Sequence, residues 1–269
     1  SVASYLANSD RDRLLAVLPF SFDYGFSQLT TAFSVCGSVV LLDYLLPRHC
    51  LMCGFPSGDE NLCPPCRRDL PRPGRTCRRC GLPLPGENEG ICGPCQQRPP
   101  RWDRVVAALD YQFPVDVLVQ KFKFNRNLAC GDALARELVR TVRPVVGASG
   151  LPDRIAPVPL HHSRHAVRTF NQSGLIAQAL GDALNIRVDH RLLCRVRKTQ
   201  AQSGLDAKAR RRNTRGAFHC HRARAAGLRH VALVDDVMTT GATLEACTVE
   251  LRRAGVEAIS LWVAARAPP

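Results

Sequence analysis

The chain has 269 residues, 45% of them apolar, which is enough for one full α/β domain and a smaller second unit. Its 37 Lys and Arg against 23 Asp and Glu leave a net charge of +14, favouring anionic partners such as phosphates or nucleic acid without choosing between them. No run reaches the roughly 18 to 20 apolar residues of a membrane span: the best, residues 39–46, carries Asp43. Thirteen cysteines would suit a disulfide scaffold in a small secreted protein, but eight of them form four C-x-x-C pairs and no signal-peptide pattern precedes them. Reduced thiolates holding metal in a cytoplasmic protein are expected instead.

Residues 11–48, RDRLLAVLPFSFDYGFSQLTTAFSVCGSVVLLDYLLPR, mix apolar runs with turn residues and hold no pair of metal ligands. Around LPFSFDYG this stretch resembles an internal fragment of the adenylate-forming acyl ligases. It carries neither the phosphate-binding loop nor the catalytic lysine of that family. Residues 1–46 are therefore expected to be an anomalous leader, a fusion or misassembled reading frame without ligase activity.

The cysteine pairs follow: Cys50 and Cys53, Cys63 and Cys66, Cys77 and Cys80, Cys92 and Cys95, with Gly54, Gly81 and Gly93 directly behind three of them. A C-x-x-C turn brings two sulfurs to one side of a tight knuckle, and two knuckles close a tetrahedral S₄ zinc site. The connecting stretches are short and rich in Pro, Gly and Arg, so residues 47–98 need metal in place of a core. Two structural zincs are expected, with redox dithiols or disulfides as the alternative. Sequential pairing of the knuckles is the simpler topology, and spacing leaves interleaved pairing open. The stiff Arg-Pro-Pro-Arg at 98–101 predicts a linker, residues 99–101, ahead of a domain spanning 102–269.

From Trp102 strands and helices alternate. Residues 104–111 read as a strand, 115–122 and 130–142 as helices with Lys123 between them, 145–152 as a loop and 155–160 as a strand. The basic run 161–172 comes next, before a helix over 173–184. Arg164 and Arg168 supply fork-shaped donors there and Asn171 and Gln172 further hydrogen bonds, a combination that suits pyrophosphate. Within 195–224 a polar turn leads into the cationic residues Lys208, Arg210, Arg211 and Arg212. Few aromatics interleave with them, so single-stranded nucleic acid is only weakly specified, and a solvated basic surface is an equal reading.

Residues 231–243, VALVDDVMTTGAT, carry the strongest ligand signal. The apolar run 231–234 predicts a strand buried on both faces of a parallel sheet. Asp235 and Asp236 follow where the run stops, then Thr239, Thr240, Gly241, Ala242 and Thr243, then a helix through Leu244, Cys247, Thr248 and Leu251 that Gly255 ends. Hydroxyls, free N–H groups and a helix N-terminus suit a phosphate, while the carboxylates suit vicinal hydroxyls or a metal ion. A sugar phosphate has both kinds of group. Residues 256–264 predict the strand that completes the sheet.

The 231–243 string resembles the PRPP-binding signature of type I phosphoribosyltransferases. With the four cysteine pairs, LVQKFKFNRN, PVPLHHSRHAVRTFNQ and TQAQSGLDAKARRRNTRGAF in this order, residues 47–265 resemble the ComF family of phosphoribosyltransferase-like competence proteins. The resemblance implies a doubly wound, mainly parallel α/β sheet of the type I phosphoribosyltransferase kind preceded by a small Cys-rich double zinc ribbon. It implies that Asp235 and Asp236 hold the ribose hydroxyls, residues 239–243 the 5-phosphate, and Lys123, Arg164, Arg168, Asn171 and Gln172 the pyrophosphate side, with Mg²⁺ accompanying PRPP. The cationic run at 208–212 falls where such enzymes carry a hood over PRPP. No catalytic residue is assigned. One departure is Thr169, where the family usually has glycine in its R-G-F-N-Q string. Two functions follow as expectations: phosphoribosyl transfer to an unidentified acceptor base with loss of pyrophosphate, linked to DNA uptake, or a non-catalytic PRPP sensor that engages single-stranded DNA or a DNA-uptake helicase.

Overall fold

In the computed structural model, residues 13–16, 38–41, 48–84, 90–160, 170–197, 214 and 216–268 are described. The chain divides into two units, residues 1–64 and 65–269. In the first, β1 (Arg13–Ala16) and β2 (Ser38–Leu41) pair in parallel, and β3 (Arg48–His49) pairs antiparallel with β4 (Pro56–Gly58). The turn between β3 and β4 is a zinc-type knuckle: Gly54 N–H donates to Cys50 O at 3.0 Å, with Gly54 at φ +75°. The turn after Cys77 repeats it, Gly81 N–H reaching Cys77 O at 2.8 Å with φ +69°. A side chain at either glycine would strain this left-handed turn. Short helices α1 (Pro64–Arg68) and α2 (Gly93–Gln97) carry the second cysteines of the answering pairs, Cys66 and Cys95.

The second unit continues with β5 (Arg104–Asp110), α3 (Val115–Phe124), α4 (Leu128–Ser149), β6 (Arg154–Pro157), α5 (Gln172–Leu184), β7 (Leu193–Arg195) and β8 (Phe218–Cys220). A single-turn helix α6 (Arg222–Ala225), β9 (His230–Met238), α7 (Ala242–Arg253) and β10 (Ala258–Arg266) complete it. Four strands form one parallel sheet in the order β5-β10-β9-β6, and Val188 adds a parallel bridge to Ile155 on the outer edge of β6. The fold is thus the expected α/β sheet. From β6 the chain leaves through α5 towards that outer edge, with α5 packed on α4, β6 and β9. From β9 it leaves through α7 towards β10. Because parallel crossovers are right-handed, helices that depart in opposite directions lie on opposite faces of the sheet. The adjoining ends of β6 and β9 are therefore a switch point of a doubly wound sheet, where the loops diverge and leave a crevice.

Period-two alternation places Val231 and Leu233 in one cluster with Leu244, Cys247 and Leu251 of α7 and Phe218 of β8. The spacing of those α7 residues is the helical stripe read in the sequence, and Gly255 at φ +95° stands just past its end.

Several boundaries differ from those expected, and three of the differences have a clear physical cause. The loop over 145–152 is largely helix: α4 runs through Pro144 to Ser149. Its stripe of Leu134, Leu138, Val142 and Val146 stays buried across the proline, and burying that stripe outweighs the single N–H that proline removes. The strand over 155–160 ends at Pro157, since Pro157 and Pro159 have no N–H to continue the ladder, although Val158 N–H still reaches Val234 O at 2.9 Å. The strand over 231–234 runs on to Met238 because β10 is equally long and pairs with it as far as Arg266 opposite Met238.

Leu233 lies in a central strand with no exposed surface. Leu233→Ala is expected to lower unfolding stability by about 2–5 kcal/mol, measured by chemical denaturation, as truncation in a packed core leaves a cavity.

Candidate functional site

The acidic pair lies inside the last turn of pleat of β9 rather than beyond it. Asp235 pairs in register with Val263 of β10. Its Oδ1 accepts the Ser173 hydroxyl at 2.8 Å and the Asp236 N–H at 2.9 Å. Asp236 is 8% exposed, and its Oδ2 meets Lys123 Nζ of α3 at 3.0 Å. Sheet pairing and two helices thus converge two carboxylates, a hydroxyl and an ammonium at one strand end. Burial pushes the Asp235 carboxyl up to about 7, and the Asp236 charge adds to it; Ser173 and Lys123 only partly oppose them. A dication or a hydroxyl-bearing ligand at this point would relieve the repulsion between the two acids.

Beyond Met238 the chain turns tightly into α7. Gly241 caps that helix at φ +74°, and a Cβ there would stand 3.0 Å from Met238 Cε and 3.2 Å from Trp102 Cη2. Only glycine suits both the turn and the contact. Thr240 Oγ1 accepts the Ala242 N–H at 3.4 Å, and the buried Thr214 hydroxyl donates to Ala242 O at 3.3 Å. The root of the loop is held by Arg266, the last residue of β10, whose Nη1 donates to Met238 O at 2.9 Å and Thr239 O at 2.6 Å. Thr239, Thr240 and Gly241 thus lead into a twelve-residue helix that Ala242 and Thr243 begin, and its N-terminus carries the positive end of the helix dipole.

On the facing side, Asn171 caps α5 and donates from Nδ2 to Val158 O at 3.0 Å, which ties the start of α5 to the end of β6. Among the described residues, Asn171 Oδ1 and Gln172 Nε2 are buried polar atoms without a hydrogen-bond partner. Both belong to the segment read as the pyrophosphate side. Arg164 and Arg168 of that segment, and Lys208, Arg210, Arg211 and Arg212 of the basic run, lie outside the described residues. Lys123, expected on the pyrophosphate side, has its ammonium 3.0 Å from Asp236 Oδ2.

The cysteines gather in two sets, Cys50, Cys53, Cys63 and Cys66, and Cys77, Cys80, Cys92 and Cys95, the sulfurs of each set lying within 4.8 Å of one another. This is the sequential pairing. Tetrahedral Zn–S bonds of about 2.3 Å place sulfurs about 3.8 Å apart; Cys53 to Cys63 is 3.6 Å and Cys80 to Cys92 is 3.7 Å. In the second set burial pushes the Cys77 thiol up, but N–H groups led by that of Cys92, at 3.3 Å from the sulfur, outweigh it and bring the thiol down to about 7. Backbone donors of this kind stabilise the thiolate that zinc requires. Both sets are closed Cys₄ sites, so their zinc is structural.

Residues 41–96 match the double zinc ribbon domain. The chain is 38% identical over 225 residues to the DNA utilization protein YhgH of Salmonella typhi, covering 82% of this chain and 98% of that protein. It is 41% identical over 171 residues to competence protein F of Haemophilus influenzae, covering 62% of this chain and 75% of that one. The chain belongs to the ComF family. A hypoxanthine phosphoribosyl transferase of Trypanosoma cruzi was also matched, at 15% identity over 51% of this chain and 73% of that one, with a TM-score of 0.31.

In this ComF chain four residues around the loop and acids went unread in the sequence: Ser173, Thr214, Trp102 and Arg266. A signal existed for one of them, since an arginine closing the mostly apolar run AISLWVAAR has to find partners when buried. Among the described residues no helix is long and apolar enough to cross a membrane.

Because Asp235 is raised from 3.8 to about 7, the folded chain holds a proton between those values that the unfolded chain has lost. Its contribution to stability therefore falls as pH rises through that window and is level above it. Denaturant midpoints from about pH 5 to about pH 7 should decline less in Asp235→Asn than in the parent. Metal analysis should find two zinc equivalents per chain, one per Cys₄ set, and chelation should lower the thermal midpoint of the ribbons.

Proposed function

We propose that this ComF-family chain binds PRPP with Mg²⁺ at the carboxyl ends of β6 and β9 and holds it for phosphoribosyl transfer with loss of pyrophosphate. The observation that carries the reading is the junction at the end of β9. There an acidic pair and a Gly241-centred turn into the N-terminus of α7 are separated by two residues, Val237 and Met238.

Asp235 and Asp236 accept hydrogen bonds from the ribose hydroxyls, and Ser173 holds the Asp235 carboxyl in the orientation this needs. Thr239 to Thr243 hold the 5-phosphate through N–H and hydroxyl donors. Asn171 and Gln172, whose buried Oδ1 and Nε2 have no partner among the described residues, take the pyrophosphate side, and Arg164 and Arg168 are the cations assigned to it from the sequence. Lys123 neutralises Asp236 before ligand arrives and is the cation within reach of the leaving group afterwards. Mg²⁺, when bound, neutralises charge on the pyrophosphate, and an all-oxygen donor set of two carboxylates suits it. The protein's share of the chemistry is positioning and charge compensation, with no covalent intermediate on the chain.

The relatives' names, which refer to DNA utilization and competence, and the net charge of +14 support a second role in handling DNA. In that role the basic segment 208–212 and the ribbons meet a single-stranded DNA backbone or a DNA-uptake helicase. Eight unoxidised metal-ligating cysteines suit a reducing cytoplasm.

Calorimetry with Mg²⁺-PRPP tests the first role. The parent should bind, and Asp235→Asn/Asp236→Asn should weaken binding by about a hundredfold or more, since two charge-assisted hydrogen-bond acceptors are lost. No binding by the parent, or equal binding by both, would sink the assignment. Pyrophosphate release with a panel of bases reads the transfer step. Single-stranded DNA binding that falls with salt and is indifferent to the two aspartates reads the second role.

A further inference from the structure

We propose that Arg266 and Trp102 are positioning residues through which the second zinc cluster sets the shape of the 238–241 loop, so that this loop is formed only when the Cys77, Cys80, Cys92 and Cys95 site is loaded. The consequence for ligand binding rests on reading residues 239–243 as the phosphate cradle; the mechanical coupling does not.

Three consecutive carbonyls of the second knuckle are taken by donors of the α/β sheet. Arg78 O accepts the Val105 N–H of β5 at 2.9 Å, Arg79 O accepts the Trp102 indole N–H, and Cys80 O accepts Arg266 Nε–H at 2.8 Å. The knuckle is thus docked on the sheet through the three carbonyls between Cys77 and Gly81, as its closed turn presents them. Gly81 leaves no slack, since a Cβ there would stand 3.1 Å from Val105 Cγ1 and 3.6 Å from Arg266 Cδ.

Two of these donors also build the loop. The guanidinium of Arg266, on a residue 6% exposed, spans from Cys80 O to Met238 O and Thr239 O, and donates to Ala267 O as well. One rigid planar group therefore ties a zinc ligand to the root of the loop, which a lysine ammonium cannot do in that geometry. Trp102 is the second tie. Arg79 Nη1 returns a bond to Trp102 O at 2.8 Å, and the far edge of the indole lies where a Gly241 side chain would begin. A buried guanidinium is tolerated only when its donors are satisfied and an opposite charge is near. Carbonyls fill the first need, and a zinc ion held by four thiolates, with its net negative charge, fills the second. Loss of zinc, with the thiols reprotonated, withdraws that charge and the Cys80 carbonyl from Arg266 and frees the knuckle that Trp102 leans on.

Amide hydrogen exchange on the full-length, zinc-loaded chain tests the coupling, with zinc content measured on the same samples. In Arg266→Lys, exchange over 238–243 should speed up by roughly tenfold while both zincs stay bound. In Cys92→Ser the same amides should speed up with one zinc lost, and in both variants the centres of β9 and β10 should keep the parent's protection. Trp102→Phe, which removes the indole N–H bonded to Arg79 O and draws the ring edge back from Gly241, should also accelerate exchange at the same amides and decides the matter if Arg266→Lys fails to fold. Parent-like exchange over 238–243 in these variants, or acceleration spread evenly through β9 and β10, overturns the proposal. Mg²⁺-PRPP affinity should weaken in step with loop exchange. A parent that binds no PRPP counts against the phosphate-cradle reading alone, since exchange still decides the coupling.

Discussion

The parallel pairing of β9 with β10 is the constraint on which the site depends. Both strands run nine residues and share a register that sets Val234 beside Trp262, Asp235 beside Val263 and Met238 beside Arg266. β9 is paired with β6 as far as Val234 and with β10 as far as Met238, so the register with β10 is what fixes its end. Whatever it presents there is fixed to within the pleat. It presents two acids and a chain reversal, and its neighbour presents an arginine that grips the reversal from below. A one-residue slip would send each of these side chains to the opposite face.

The electrostatics of the site follow from that placement. The chain is strongly basic overall, yet the end of β9 holds two carboxylates. One is compensated by Lys123 at 3.0 Å, and the other is pushed up towards protonation by burial and by its neighbour. Such a pair is costly when nothing binds it, and groups held at cost at a strand end are where ligand chemistry is expected. Arg266 is the converse case, a buried cation whose donors are met by carbonyls of the loop and of the knuckle.

The ribbons reach order by another route. Few apolar side chains of residues 48–98 are buried, among them Leu62 and Leu70, so sulfur–zinc geometry replaces a core. For the second knuckle the same backbone serves twice, closing on metal through its thiols and docking on the sheet through its carbonyls.

Much of the architecture was legible in the chain. The four C-x-x-C pairs, the buried run into Asp235 and Asp236, and the α7 stripe ending before Gly255 are local patterns, because each depends on spacing along one segment. Boundaries set by neighbours were not legible. The extension of β9 to Met238 depends on the length of β10, and α4 passes Pro144 because a distant surface buries its stripe. The sequence by itself determined which residues could ligate zinc, form the parallel strands and end one of them in an acidic pair. Only the tertiary structure decided that Lys123 stands on Asp236, that Ser173 orients Asp235, and that Trp102 and Arg266 join the second knuckle to the loop. Those pairs are separated by tens to well over a hundred positions, and contacts at such distances are made by the packing of elements, which no local periodicity encodes.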